Sequence, residues 1–459
     1  MDPSIFLSFT LPNAATWFYF SLILSVALFF QFTRLMSFRN LDLIMLFLMV
    51  PGFLFLQEAH GLIAAGDSNA PEETDAERLF LRGHRELVLA YAWLVIGCVF
   101  WFARALVDLA LVRRPPLSPN LNGPGLAFLG LSLIACLAAV AVRRPNDPSE
   151  QALVGKRPIP ISQVREGATA VVQQAQTETG NAASAADVQF WVERALAMAC
   201  HLAVVVGLLM IGIRHFGDWN AGMAMGGLYL LIPYTAYHIG QFHHVWPAAF
   251  ITWAVFCYRR PMISGWLLGL ATGSSFFPIL LFPLWAGFYA RRGTMRFALS
   301  FLSATLVSVG VVSLILWWDG RAASSLAAAM NLSDWQPWKV PKAESLWTGA
   351  HWAYRLPIFV LYVAFLVAVT IWPSPKNLSH LVALSAAVLI GIQFWYADRG
   401  GVYVLWYLPL VLLMVCRPNL TGHEPPAVGP GTGVLSWAGA AWRRIRGKHI
   451  ATTTNELAV

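Results

Sequence analysis

The chain has 459 residues, of which 58% are hydrophobic and 12% charged, and its net charge is +8. A soluble domain carries about 25% charged residues, and half that charge cannot clothe a water-facing surface of this size. An ordinary soluble enzyme, a disordered chain and a disulfide scaffold are thereby excluded, and a polytopic membrane protein remains.

A helix needs about 20 apolar residues to cross a bilayer core. Apolar runs of roughly that kind occur in chain order at Ala14–Phe32, Leu41–Leu56, Leu87–Leu111 and Gly125–Val142. They continue at Ala195–Ile213, Ala221–Ile239, Val245–Tyr258, Met262–Gly273 and Phe277–Ala290. The last four are Phe297–Trp318, Leu356–Ile371, Leu378–Phe394 and Val402–Val415. The expected fold is therefore an all-α transmembrane bundle of about 13 helices over residues 1–417. Met262–Gly273 and Phe277–Ala290 are too short to cross comfortably, and form either a re-entrant pair or a broken segment shielded by neighbours.

Lys and Arg cluster between alternate runs. Arg34 and Arg39, Arg113 and Arg114, Arg214, Arg259 and Arg260, and Arg291, Arg292 and Arg296 all fall on one side, as do Lys376 and Arg417. That side is expected to be cytoplasmic, with the N-terminus outside and the C-terminus inside. The expected setting is the plasma membrane of a bacterium. Arg143, Arg144, Lys156 and Arg157 run against the scheme, in a loop long enough to translocate regardless of charge. Nothing resembles a basic stripe with interleaved aromatics, so no nucleic-acid partner is expected. The five cysteines lie in or at the ends of apolar runs and read as small apolar residues.

Three large outer loops are expected, at 57–86, 143–190 and 319–355. The first is acidic, the second contains a candidate surface helix at Ala168–Gln176, and the third is crowded with Trp. The tail, 418–459, is Gly/Pro-rich and flexible in expectation. Its segment Val434–Ile450 reads as a basic amphipathic helix for an anionic membrane surface.

Polar side chains suited to chemistry gather between His238 and Arg296. His238, Gln241, His243 and His244 sit at one outer edge. A basic turn at Arg259–Arg260 follows, then a helix carrying Gly265 and Gly269, a spacing that permits close helix contact. A break at Gly273–Ser275 precedes Pro278, and the freed N–H groups suit an anion. The three histidines lack convergent vectors, so no metal site is predicted there, although a divalent metal is left open. Headgroup or substrate binding and interfacial anchoring both remain open readings of them. Arg104 and Asp108 lie one helical turn apart and read as an ion pair near the cytoplasmic edge. P-loop, Rossmann, HExxH and GxSxG motifs do not occur.

This stretch resembles the GT-C-type membrane glycosyltransferases that use polyprenol-phosphate sugars, specifically the alpha-mannosyltransferase-like family. Gly240 and Gln241 match a Gly-Gln near the outer face. Gly265, Gly269, Leu270 and Pro278 match a Gly/Leu-rich helix with its following Pro. The resemblance spans roughly 60 residues, and Ser275 stands where the family carries a Lys for the lipid phosphate. The resemblance implies transfer of a sugar from a polyprenyl-phosphate donor to an acceptor on the non-cytoplasmic face. It implies a general-base carboxylate in the first outer loop, here Glu58 or Asp67. Donor and lipid phosphate would meet Gln241, His243, His244, Ser275 and Arg399. Acceptor or sugar would meet Trp335, Trp338 and His351, since aromatic faces stack on sugars. Membrane lipids and the lipid-linked donor are the expected partners. A transporter and a non-enzymatic scaffold remain the alternatives. A transporter needs a polar cavity near the midplane, whereas a transferase needs an outward cavity open sideways to lipid.

Overall fold

A computed structural model describes residues 14–69, 73–111, 119–143, 167–175, 185–290, 292–318, 335–339 and 345–425. Arg113, Arg114, Arg144, Lys156, Arg157, Arg291, residues 319–334 and the 434–450 segment lie outside that set, as does the side chain of Asp67.

All regular structure among the described residues is helical. The helices are α1 (Ala14–Phe29), α2 (Phe38–Leu48), α3 (Val50–Asn69), α4 (Glu73–Asp108) and α5 (Gly123–Arg143). There follow α6 (Ala185–Ile211), α7 (Trp219–Leu231), α8 (Pro233–Tyr237), α9 (Phe242–Phe256) and α10 (Pro261–Ser274). The last are α11 (Phe282–Phe288), α12 (Thr294–Trp318), α13 (Arg355–Ile371), α14 (Leu378–Trp395) and α15 (Leu408–Cys416). Residues 167–175 are also helical, as the sequence led one to expect.

Local chemistry explains the boundaries. The Asp218 carboxylate caps α7 by accepting from the N–H groups of Asn220 and Ala221. Asn377 and His380 form a reciprocal cap on α14. Ile232, extended before Pro233, separates α7 from α8. The predicted span Ala221–Ile239 is thus two helices. At the predicted 273–275 break, α10 ends in an extended Ser275, and a 3-10 turn over Phe277–Leu281 leads into α11.

Seven helical stretches among the described residues are long and apolar enough to cross a membrane: Phe38–Gly66, Glu77–Asp108, Gly123–Val142, Val188–Phe216, Thr294–Val311, Trp352–Ile371 and Leu378–Trp395. The protein is a multi-pass membrane protein. The expected count of about 13 crossings is not confirmed, because several predicted runs form short helices. Val402–Val415, for example, contains a 3-10 turn over Val404–Trp406 and the nine-residue α15.

One correction concerns the acidic loop expected at 57–86. It is a helical hairpin: α3 runs on to Asn69 and α4 begins at Glu73. A Cβ on Gly83 would sit 2.7 Å from Ile63 Cγ1 and 3.2 Å from the Ala59 carbonyl, so the two helices press together along this stretch.

The basic clusters that are described lie at one end of the bundle. Arg104 of α4 grips Asp42 of α2 through both oxygens, at 2.7 and 2.9 Å, and reaches Asp108 at 3.1 Å. Arg417, just past α15, bonds the other Asp108 oxygen at 2.8 Å. These four side chains are buried. The segment after α15 then crosses the same end: the His423 carbonyl accepts from Leu378 N–H, and Glu424 pairs with Arg292 at 2.6 Å.

At the centre stand α14 and α15, nearly every residue of which is buried. Helices α7, α9, α10 and α15 contain 13, 15, 14 and nine residues. At 1.5 Å per residue they measure about 20, 22, 21 and 14 Å against a hydrocarbon core of about 30 Å. All four reach the basic end, and each is shorter than that thickness. The 36-residue α4 spans about 54 Å and rises past them. Irregular backbone at that depth must be covered by protein or line a polar cavity. The turns at the far ends of these short helices carry the candidate site.

Candidate functional site

Three separate chain segments meet at the far ends of the short helices. They are the α8–α9 turn, the turn from α10 into Phe277, and the connection between α14 and α15. Their rings form one stacked column. The His238 and His244 centroids are 4.1 Å apart, and His244 lies 5.1 Å from Tyr403. Tyr403 is 4.1 Å from Trp406, and Trp406 is 3.7 Å from Phe277. Interplanar angles stay between 11° and 27° along the column. Five buried rings stacked this way make a rigid wall.

Polar groups hang on that wall. His238 Nδ1 and Gln241 Oε1 share a hydrogen bond of 2.5 Å. The His243 ring, half-buried, tilts against His244 at 4.2 Å. Tyr403 Oη donates to Asp398 Oδ2 at 3.0 Å. Arg399 stands within electrostatic range of Tyr91, Tyr237, Asp398 and Tyr403. Its φ of 48° is left-handed, a conformation that costs a non-glycine residue energy. The turn that carries it is tied down by Gln393 Oε1, which accepts from Gly401 N–H at 2.9 Å.

Phe53 of α3 closes one side, packing on Tyr234, Tyr237 and His238 at 5.4–5.6 Å. Trp335 closes another, resting on Tyr396 at 4.6 Å and Phe276 at 5.0 Å. Its segment is held by the buried Arg355, whose guanidinium donates to the carbonyls of Gln336 and Lys339.

The structure therefore brings together Gln241, His243, His244, Ser275, Arg399 and Trp335. Ser275 is buried at the end of α10, two residues before the last ring of the column. Trp338 is 57% exposed, and His351 is exposed and caps a short 3-10 turn through Ala353 N–H. Neither joins the column. Glu58 stands on the exposed side of α3, 3.7 Å from Arg82. It lies about 7.5 Å further along the helix than Phe53 and is turned about 140° from it. Asp67 lies about 21 Å along α3 from Phe53, near the hairpin tip. Among the described residues no group of three His, Cys, Asp or Glu side chains is placed to hold a metal ion.

Two site residues escaped the sequence reading. His201 of α6 bonds Tyr229 Oη at 2.9 Å and touches the His238 backbone. Arg194, also on α6, lies against Gly240. The signal for Arg194 was an Arg at the edge of an apolar run, one residue before the predicted start of the span. No family profile, no curated protein and no solved structure matches the chain.

Proposed function

We propose that this membrane protein is a glycosyltransferase that moves a sugar from a polyprenyl-phosphate donor to a hydroxyl acceptor on the non-cytoplasmic face. One observation carries the reading. A carboxylate (Asp398) bonded by Tyr403, the adjacent Arg399 and a buried column of stacked aromatic and imidazole rings gather at the end opposite the basic clusters, a depth we take to lie within the membrane. A lipid-linked sugar keeps its prenyl chain in the bilayer and presents its phosphate at such a depth. Stacked rings suit a sugar face, and a guanidinium suits a phosphate.

In this reading the acceptor hydroxyl gives its proton to Asp398 as its oxygen bonds the anomeric carbon. The bond from that carbon to the donor phosphate breaks, and its electron pair leaves with the phosphate beside Arg399. Tyr403 holds the Asp398 carboxylate in place. Asp398 takes the base role ahead of Glu58 and Asp67, because those two stand away from the ring column. The remaining short apolar helices complete the crossings, with the N-terminus outside in a bacterial plasma membrane. The transporter reading loses its candidate pair, since Arg104 and Asp108 belong to a closed network at the basic end.

The test is transfer by purified protein in lipid, with labelled polyprenyl-phosphate sugars as donors. Asp398→Asn is expected to lower turnover at least 100-fold, within the usual range for a lost general base. The double variant Glu58→Ala, Asp67→Ala is expected to retain it. The opposite pattern would move the base to the hairpin, and no turnover with any polyprenyl-phosphate sugar would end the transferase reading.

A further inference from the structure

We infer that the loop leading from α1 into α2, residues 30–38, dips into the lipid surface at the basic end of the bundle, with Phe32, Leu35, Met36 and Phe38 among the acyl chains and Arg34 at an anionic headgroup. The loop stands at that end because Asp42, one turn into α2, belongs to the buried pair with Arg104. Phe32, Leu35, Met36 and Phe38 are 66%, 59%, 100% and 54% exposed. Arg34, between them, is exposed as well. Large apolar groups crowded on one loop are unfavourable in water and mark a surface that meets another apolar phase. Residues 30–41 hold two arginines and no carboxylate.

The backbone of the loop is built for a place where water is scarce. The buried Asn40 side chain donates to the carbonyls of Gln31, Arg34 and Leu35 at 2.9, 3.0 and 3.2 Å, and accepts from Gln31 N–H at 2.9 Å. Arg39 donates to the Phe29 carbonyl through Nε at 3.0 Å and Nη2 at 2.7 Å. Asn120, just before α5, donates from its side chain to the Ala27 carbonyl at 3.0 Å and from its N–H to the Leu28 carbonyl at 2.7 Å. At a water-facing end the last carbonyls of a helix can be left to solvent. Here protein donors hold them, together with the carbonyls of the loop. Irregular backbone is not left open to hydrocarbon, so this backbone belongs in the headgroup layer, with its apolar side chains reaching below it. Continuity names the occupant. The exposed apolar face of α2, at Leu41, Ile44 and Leu48, runs from Phe38 along the membrane-crossing stretch Phe38–Gly66. The loop is the end of that lipid-facing surface, which favours lipid over a second copy or another protein. Arg34 gives it a charge that an anionic headgroup matches, and apolar side chains beside a cation are what hold interfacial segments on anionic membranes.

The experiment places a nitroxide at position 36 of the full-length protein in vesicles of phosphatidylcholine, with or without phosphatidylglycerol. Cys136→Ser and Cys257→Ser remove the two cysteines that are not buried, and Met36→Cys takes the label. Depth is read from collisions with oxygen, which dissolves in lipid, and with a neutral nickel chelate, which stays in water. Oxygen is expected to relax the label several-fold more than the chelate does, and a label on Phe32→Cys should agree. A label on Thr421→Cys, exposed on the segment after α15, is the aqueous reference. A chelate effect as large as that at the reference would overturn the inference, since the loop would then stand in water. Exclusion of both agents would also overturn it, by showing that protein covers the loop. Phosphatidylglycerol is expected to deepen the label at 36, and Arg34→Gln to abolish that shift. A depth unchanged by phosphatidylglycerol, or a shift that survives Arg34→Gln, would overturn the anionic headgroup as the partner of Arg34. The reading of the loop stands or falls apart from sugar transfer, which none of these labels measures.

Discussion

Arg399 shows how a single residue divides folding from function. With φ at 48° it occupies backbone space that an L side chain enters at a cost of about 1–2 kcal/mol. Glycine would relieve that cost, so the arginine is held for its side chain. Arg399→Gly is expected to leave the unfolding temperature unchanged or higher while removing phosphate binding and turnover, checked by thermal unfolding beside the transfer assay. Two residues on, Gly401 has φ 98°, and a Cβ there would lie 3.1 Å from Leu94 Cβ. Gly401→Ala is expected to lower stability by about 1 kcal/mol or more, because strain and contact act together. The two neighbouring positions should therefore respond in opposite directions.

Between elements, α10 and α12 meet in a tight seam. Gly265, Gly269 and Gly273 present one bare stripe of α10. A Cβ on Gly269 would fall 2.4 Å from the Phe301 carbonyl and 2.7 Å from Ala304 Cβ. Lipid offers no hydrophobic drive for helices to associate, so dispersion contacts at such short range hold them together. Gly269→Ala is expected to cost about 1–3 kcal/mol through overpacking, measured by reversible denaturation in mixed micelles. Gly310 of α12 has open space where a Cβ would stand, and Gly310→Ala should be neutral or slightly stabilising in the same measurement. The seam matters to the site because α10 delivers Ser275 and the Phe277 turn to the ring column.

For the molecule as a whole, the basic end works as a clasp. The chain Asp42–Arg104–Asp108–Arg417 joins α2, α4 and the exit of α15 inside the protein. Arg104→Met leaves two buried carboxylates facing each other and is expected to cost about 3–5 kcal/mol. Replacing Arg104 and Asp42 together by Met and Leu should recover much of that loss, because a well-packed apolar pair avoids the desolvation cost. The clasp continues to His423, whose imidazole is held below its usual pKa, first by burial and then by Arg259. A histidine depressed in the folded state contributes no penalty while neutral. The penalty grows as pH falls below the unfolded value near 6.5. Thermal stability should decline from about pH 6.5 downward, and His423→Gln should flatten that decline.

Composition alone determined that this chain folds in lipid, because too few charges exist to coat it in water. Charge spacing foretold the shared basic end, and Gly and Pro spacing foretold the α10 break and its glycine seam. The cluster of Gln241, His243 and His244 was also legible, since polar side chains at an apolar run's end have few other places to go. Tertiary structure decided the rest. In a membrane the outside of a helix is as oily as its inside, so periodicity does not reveal which face meets protein. For that reason the sequence left Arg104 with only Asp108 for a partner, although Asp42 and Arg417 hold it and Asp108 from other helices. It read 57–86 as a loop from its charge, although packing of Gly83 on Ala59 keeps the hairpin helical and turns Glu58 outward. Only tertiary folding around the 237–241 turn set Arg194 beside Gly240 and His244 beside Tyr403.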